Sequence, residues 1–170
     1  LSTYSSPQLE EAERERRVLA AILSCYLLVG RQQEQETATV LGHSRGMLNW
    51  AAGFLVYSRS TASCSRGVVE QLAGVWEYVW GHLEHPVDSV RHNTRTLLAS
   101  VVQGLLQGGQ VAAVEELLQH TLLLPRDQKG RLVTLTCLVR HHSLARVLEL
   151  CPSLQEDTLA LAGEQVQWQH

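Results

Sequence analysis

The chain has 170 residues, a formal net charge of −3 and 45% apolar residues. Apolar content this high excludes an intrinsically disordered tail, and twelve glycines with four prolines exclude collagen-like or low-complexity sequence. A pI near 6.2 excludes a strongly basic nucleic-acid clamp, because such domains usually lie above a pI of about 9. Composition alone therefore predicts a globular segment and assigns it no function.

The first helices are predicted within residues 1–57. Ser6-Pro7 is typical of a helix start, because serine caps free amides and proline fits the first helical position. The run from Val18 to Val29 is nearly apolar, which indicates a helix packed between neighbours. It is shorter than the roughly 20 residues that a membrane span needs. A second helix is predicted over residues 38–57.

Residues 58–67, rich in Ser, Thr and Arg, are predicted to form a loop, and residues 68–107 a helical hairpin. In the first helix of the hairpin, over 68–84, apolar side chains recur at helical spacing. These side chains are Leu72, Val75, Trp76, Val79, Trp80 and Leu83. The second helix is predicted over 87–107, with Pro86 at its first position. Because only two residues join the helices, we expect them to be antiparallel.

Residues 108–170 are predicted to hold the C-terminal helices, at 111–122, 132–140, 144–151 and 154–162, with a polar turn at 126–130. The chain has no strict apolar/polar alternation and no Asn-Gly or Asp-Gly turn, so the pattern does not favour β structure. We predict an all-α fold in which antiparallel helical hairpins stack as an α-solenoid segment. A compact bundle is the alternative.

No repeat period of about 34 or 40 residues is visible, so repetition is inferred from the architecture alone. The chain begins at Leu1 rather than at a methionine and ends at His170 without a closing pattern. We therefore expect one segment of a longer protein. The four cysteines form no CxxC pair, which favours free thiols in a reducing compartment. They are Cys25, Cys64, Cys137 and Cys151.

The junction between the two helices of the hairpin carries the most informative motif. Pro86 fixes a backbone angle, and Asp88 falls in the first turn of the second helix. A carboxylate there is stabilised by the helix dipole by about 0.3–1 kcal/mol. Arg91 follows three residues later, so it can pair with Asp88 on one face.

This order of proline, aspartate and Val-Arg across a helix junction resembles the inter-helix turn of HEAT repeats. The resemblance implies that the predicted stack is a HEAT-like α-solenoid segment. Together with Trp80, the run over residues 84–92 resembles a signature of the thyroid adenoma-associated protein family, including its fungal relatives. Leu83 stands where that family has an aromatic residue, and Asn93 stands where it has glutamine. The signature residues, expected to be structural or partner contacts, are Trp80, His85, Pro86, Asp88, Arg91 and His92.

Members of that family are very long α-solenoids. The resemblance implies a cytoplasmic, non-catalytic partner of an FtsJ-type RNA methyltransferase, which supports 2′-O-methylation of ribose in a tRNA anticodon loop. Neither a membrane nor DNA is an expected partner. Fourteen Lys and Arg residues face seventeen Asp and Glu residues, so we expect protein contacts here and strong RNA contacts elsewhere in the longer protein. The alternative is a generic HEAT-type adaptor that binds only proteins.

Two patterns could point to chemistry instead. His82, His85 and His92 lie at the junction, but zinc needs further converging ligands and no cysteine is near. Capping and hydrogen bonding therefore fit these histidines better, and no metal or cofactor is predicted. Residues 42–46, Gly-His-Ser-Arg-Gly, superficially resemble a GxSxG elbow, yet no strand precedes Ser44. We interpret them as an interruption of a helix and predict no enzyme.

Overall fold

The computed structural model describes residues 10, 13–14, 17–24, 37–61, 71–156 and 159. Every regular element in these ranges is helical, so the all-α prediction is confirmed for the part of the chain they cover. Residues 17–24 and 154–156 are helical, and between them the described ranges contain six helices. They are α1 (Thr37–Thr61), α2 (Leu72–His82), α3 (Asp88–Gln107), α4 (Val111–Leu123), α5 (Lys129–His141) and α6 (Leu144–Leu150).

Helix α1 departs from its prediction in two ways. It runs without a break through residues 42–46, so the predicted interruption is wrong. The hydroxyl of Ser44 donates to the Leu41 carbonyl at 3.0 Å, and Ser44 is itself buried. The helix also continues to Thr61, four residues into the predicted loop. Ser58 is fully buried there and donates to the Phe54 carbonyl at 2.9 Å, which satisfies its hydroxyl inside the helix.

Helix α3 lies at the centre of the described structure. It contacts α1, α2, α4 and α5, and its contact with α1 is the most extensive. Its buried apolar side chains are Val90, Leu97, Leu98, Val101, Val102 and Leu105. Full burial of a Val or Leu side chain contributes roughly 1.5–3 kcal/mol, so this one helix accounts for a large part of the core energy.

Two pairs of contacts fix the relative direction of α1 and α3. Near the start of both helices, the Asn93 side-chain amide donates to the Ser44 hydroxyl at 3.0 Å. Near their ends, Gly104 faces the ring of Phe54. Because both pairs follow the same order along the two helices, α1 and α3 run parallel.

The same reasoning applies to α3 and α5. Glu84, just before α3, accepts a hydrogen bond from the backbone N–H of Gly130 at 2.8 Å, at the start of α5. At the other end, the side chains of Gln103 and His141 lie 2.9 Å apart. Helices α1, α3 and α5 therefore share one direction.

The even-numbered helices also contact one another. The rings of Trp80 on α2 and His120 on α4 lie 6.3 Å apart. Arg146 Nε on α6 donates to Glu115 Oε1 on α4 at 2.6 Å. Each helix therefore contacts its chain neighbour and, in these cases, the helix after that.

Helix α5 begins at Lys129, three residues before its predicted start, so the predicted polar turn at 126–130 is shorter than expected. The Glu84 carboxylate satisfies the Gly130 amide in the first turn of α5, which stabilises the early start. Cys137 and Cys151 are free and pack half-buried against the core. Cys25 and Cys64 lie outside the described residues. No helix among those described is both long enough and apolar enough to cross a bilayer.

Helix α1 approaches α3 closely at Gly104. A Cβ atom built at this position would lie 2.6 Å from Phe54 Cε1. Phe54 is fully buried and its ring stacks on Trp50, with centroids 5.4 Å apart and planes at 4°. Any movement of the ring away from Gly104 would therefore disturb a buried stack.

Gly104→Ala is expected to destabilise the fold, because overpacking costs about 1–3 kcal/mol and outweighs a gain of about 1 kcal/mol in helix propensity. Gly81→Ala on α2 is the matched control, since no heavy atom lies within 4 Å of its added Cβ. Thermal unfolding followed by circular dichroism should show a lower Tm for Gly104→Ala and an unchanged or higher Tm for Gly81→Ala. Equal increases in both would contradict the close approach.

The ion pair between Glu115 on α4 and Arg146 on α6 predicts that the fold becomes less stable in acid. The Arg146 hydrogen bond holds the pKa of Glu115 below its usual value. The ion pair therefore contributes its full stabilisation at pH values above the pKa that Glu115 has in the unfolded chain. This contribution is lost as the pH falls through the lower pKa of Glu115 in the folded chain. Urea unfolding at neutral and acidic pH should show that Glu115→Gln removes this part of the pH dependence. Glu156→Gln, at an exposed position outside the pair, should leave it intact.

Candidate functional site

The turn between α2 and α3, residues 83–87, contains the centre of the signature. Leu83 is fully buried and its backbone N–H donates to the Val79 carbonyl, so the turn begins anchored in the core. The His85 N–H then donates to the His82 carbonyl at 3.2 Å.

Arg91 fixes the conformation of this turn. Its Nη1 donates to the carbonyl oxygens of His85 at 2.7 Å and Pro86 at 2.8 Å, and its Nη2 donates to Asp88 Oδ1 at 2.7 Å. The Arg91 side chain is 25% exposed, whereas that of Asp88 is 90% exposed. The predicted Asp88–Arg91 pair therefore forms, and the same guanidinium also satisfies two carbonyls that the turn leaves outside any helix.

Hydrogen bonds assign the protons on two histidine rings near the turn. The Val87 N–H lies 3.1 Å from His85 Nδ1, and a backbone N–H can only donate, so Nδ1 is an acceptor. His82 Nδ1 lies 2.7 Å from the Tyr78 carbonyl, which can only accept, so that nitrogen carries a proton. The two rings stack with centroids 5.8 Å apart. Hydrogen bonding thus accounts for one nitrogen of each ring.

Pro86 does not occupy the first helical position, so that prediction is wrong. Helix α3 begins at Asp88, and Val87 precedes it with extended backbone at φ −79° and ψ 120°. The Val87 carbonyl accepts the first bonds of the helix, from Val90 and Arg91. The Val87 N–H instead donates to His85 Nδ1, just before the helix begins. Asp88 still lies in the first turn, as predicted.

The remaining signature residues lie on other surfaces. Trp80 is half-buried and lines a groove of about 300 Å³ between α2 and α4, with Ala113, Glu116 and His120. His92 is exposed on α3. The structure therefore brings His85, Pro86, Asp88 and Arg91 together at the turn and directs Trp80 towards α4. Partner contact by any of the six remains a prediction.

Two contacts made by residues beside the signature could not be read from local spacing. Glu84 reaches Gly130, 46 positions later, and Asn93 reaches Ser44, 49 positions earlier. The sequence indicates only that these two side chains can form hydrogen bonds, not which residues they bind. Together they join the turn to α5 and the first turns of α3 to α1, so the exposed groups at the turn are presented by a fixed backbone.

The described residues give little support for chemistry at this site. Within them, no three His, Cys, Asp or Glu side chains converge as a metal site requires. Ser44, the centre of the GxSxG-like segment, is buried inside α1 and donates to a carbonyl of its own helix. Burial raises the pKa of the Cys137 thiol to about 11, so it stays protonated at neutral pH. Neither residue is an activated nucleophile.

Arg91→Ala should destabilise the chain more than Asp88→Ala does. The first change removes bonds to two turn carbonyls and one carboxylate, and hydrogen bonds to charged groups contribute about 1.5–3 kcal/mol. The second removes one exposed ion pair, which contributes at most about 1 kcal/mol. Urea unfolding of both variants measures the difference. Equal losses would mean that the guanidinium–carbonyl bonds contribute no stability.

Comparison with known proteins finds relatives that share one name, "tRNA (32-2'-O)-methyltransferase regulator THADA". The Mus musculus protein is 26% identical over 143 residues, which cover 78% of this chain and 7% of the relative. The Gallus gallus protein is 27% identical over 166 residues, covering 90% and 8%, and the Canis lupus familiaris protein is 24% identical over 148 residues, covering 78% and 8%. No protein-family profile and no solved structure matches. The similarity thus covers most of this chain but less than a tenth of the length of each relative. The relatives are named as regulators of a tRNA methyltransferase, not as methyltransferases.

Proposed function

We propose that this chain is part of a non-catalytic partner of an FtsJ-type tRNA 2′-O-methyltransferase, and that the whole protein supports ribose methylation in the anticodon loop. The observation that carries the proposal is the similarity to the THADA regulators, which extends over 90% of the chain in the Gallus gallus protein. The turn at residues 83–87 supports it, because the signature residue Arg91 binds both the His85 carbonyl in this turn and the signature residue Asp88.

The proposed architecture is a segment of a HEAT-like α-solenoid. The shared direction of α1, α3 and α5 supports this, and so does the contact of α2 with α4 and of α4 with α6. A solenoid offers a long surface that can hold an enzyme and a structured RNA at a fixed geometry. In this proposal residues 1–170 are one helical segment of a long cytoplasmic protein.

The proposed role of this segment is packing and protein contact rather than strong RNA binding. Its seventeen acidic residues outnumber its fourteen Lys and Arg residues, which does not suit a surface that follows a phosphate backbone. Pro86, Asp88 and His92 are exposed and available to a partner, whereas Arg91 is occupied in holding the turn. We therefore assign partner contact to the first three and a positioning role to Arg91.

The test uses the full-length parent protein carrying Asp88→Lys together with His92→Glu. Both side chains are exposed. Asp88→Lys also removes the ion pair with Arg91, so a thermal melt of the double variant must first show that the fold is retained while the proposed contact surface changes charge. We expect several-fold lower recovery of the FtsJ-type methyltransferase in a pull-down and a matching loss of anticodon-loop ribose methylation, measured by mass spectrometry of tRNA. Gln119→Lys, at an exposed position on α4, is the control and should change neither readout.

Deletion of the whole parent protein separates this proposal from the generic adaptor. Under the proposal, deletion abolishes the ribose methylation and the intact protein recovers the methyltransferase. If methylation persists after deletion and the pull-down recovers only unrelated proteins, the adaptor reading replaces it.

A further inference from the structure

A cleft of about 380 Å³ lies between α3 and α5. Its floor is apolar, with Leu98 of α3 fully buried and Leu132 and Val133 of α5 half-buried. The lining residues of α5 include positions 129, 132, 133, 136 and 140, which fall on one face of a helix. From Lys129 to Arg140 this face extends about 16 Å along the axis. The cleft is therefore an elongated groove rather than a round pocket.

Three exposed cations line this groove: Arg95 on α3, and Lys129 and Arg140 near the two ends of α5. The lining contains no Asp or Glu. Within the described ranges none of the three cations forms an ion pair or a side-chain hydrogen bond, in contrast to Arg91 and Arg146. In a chain of net charge −3, the groove thus concentrates uncompensated positive charge around an apolar floor.

We propose that this groove binds an acidic, amphipathic helical segment of a partner protein. An apolar helix face would cover Leu132 and Val133, and acidic side chains beside it would pair with Lys129, Arg140 and Arg95. Helices bind apolar grooves in this way through residues spaced by one helical turn. The length of the groove, about three turns, matches such a ligand.

The lining fits RNA less well. Single-stranded RNA is held by stacking of bases on aromatic side chains, and the lining has no Phe, Tyr or Trp. The His141 ring lies at one end, where its Nδ1 is 2.9 Å from the Gln103 side chain. An apolar floor also offers nothing to a phosphate. This inference goes beyond the proposed function, because the groove would bind such a segment whichever partner supplies it.

The test uses the 170-residue chain and a fluorescent synthetic helical peptide with leucines on one face and glutamates at both ends. We expect saturable binding by fluorescence anisotropy. Charge reversal of the three cations, R95E/K129E/R140E, should weaken the affinity at least about tenfold, since it replaces three attractive charge contacts by repulsive ones. Arg45→Glu, at an exposed cation on α1 outside the groove, should leave the affinity unchanged.

Thr136→Trp provides an independent second variant, because it fills the groove from an exposed position without changing charge. It should also weaken binding, while the thermal melt stays close to that of the parent chain. Failure of the parent chain to bind the peptide, or equal binding of a peptide with asparagine in place of leucine, would overturn the proposal. So would tighter binding of a tRNA anticodon stem-loop that the same charge reversals abolish. None of these outcomes depends on the methyltransferase.

Discussion

The described structure depends on the burial of α3 by helices on several sides. Polar groups on the buried side of such a helix must bond within the helix or to a neighbour, because no water reaches them there. Thr94 is fully buried and donates to the Val90 carbonyl of its own helix at 2.8 Å. Asn93 donates to Ser44 on α1, and Gly104 leaves room for Phe54. These residues allow α1 to approach α3 more closely than larger side chains would.

The turn before α3 depends on the same burial. Leu83 is held in the core, and the turn that follows it leaves the carbonyls of His85 and Pro86 outside any helix. Arg91 supplies the missing donors from the first turn of α3, and Glu84 extends the connection to α5. The exposed Asp88 side chain is therefore presented from a backbone that is fixed by α2, α3 and α5 together.

Local patterns predicted much of this arrangement. The helical stripe of α2, the extent of α3 and the Asp88–Arg91 pair all follow from spacings of three and four residues, which sequence shows directly. The glycines at positions 42 and 46 led to the wrong prediction of a helix interruption, because each costs about 1 kcal/mol relative to alanine in a helix. Burial of Met47 and Trp50 on the same helix outweighs that cost. Sequence spacing cannot show which distant segments meet.

In the candidate site too, one contact between residues close in sequence could be predicted and contacts between distant segments could not. The Asp88–Arg91 pair could be predicted because the two residues lie three positions apart, whereas the bonds of Arg91 to the His85 and Pro86 carbonyls were not predicted. The long-range contacts of Glu84 and Asn93 could not be predicted, nor could the direction of Trp80 towards α4, because they depend on the packing of whole helices. The start of α3 at Asp88 rather than at Pro86 follows from the extended backbone of Val87, which sequence spacing does not show.

The contact of Gly104 with Phe54 has a mechanical consequence. Because the Phe54 ring packs directly against the α-carbon of Gly104, α1 cannot slide along α3 unless Phe54 leaves its stack with Trp50. On its other side α3 faces α5 across an open groove, where fewer atoms resist displacement. Bending of the chain under load would thus concentrate between α3 and α5, while α1 and α3 move as one stiff unit.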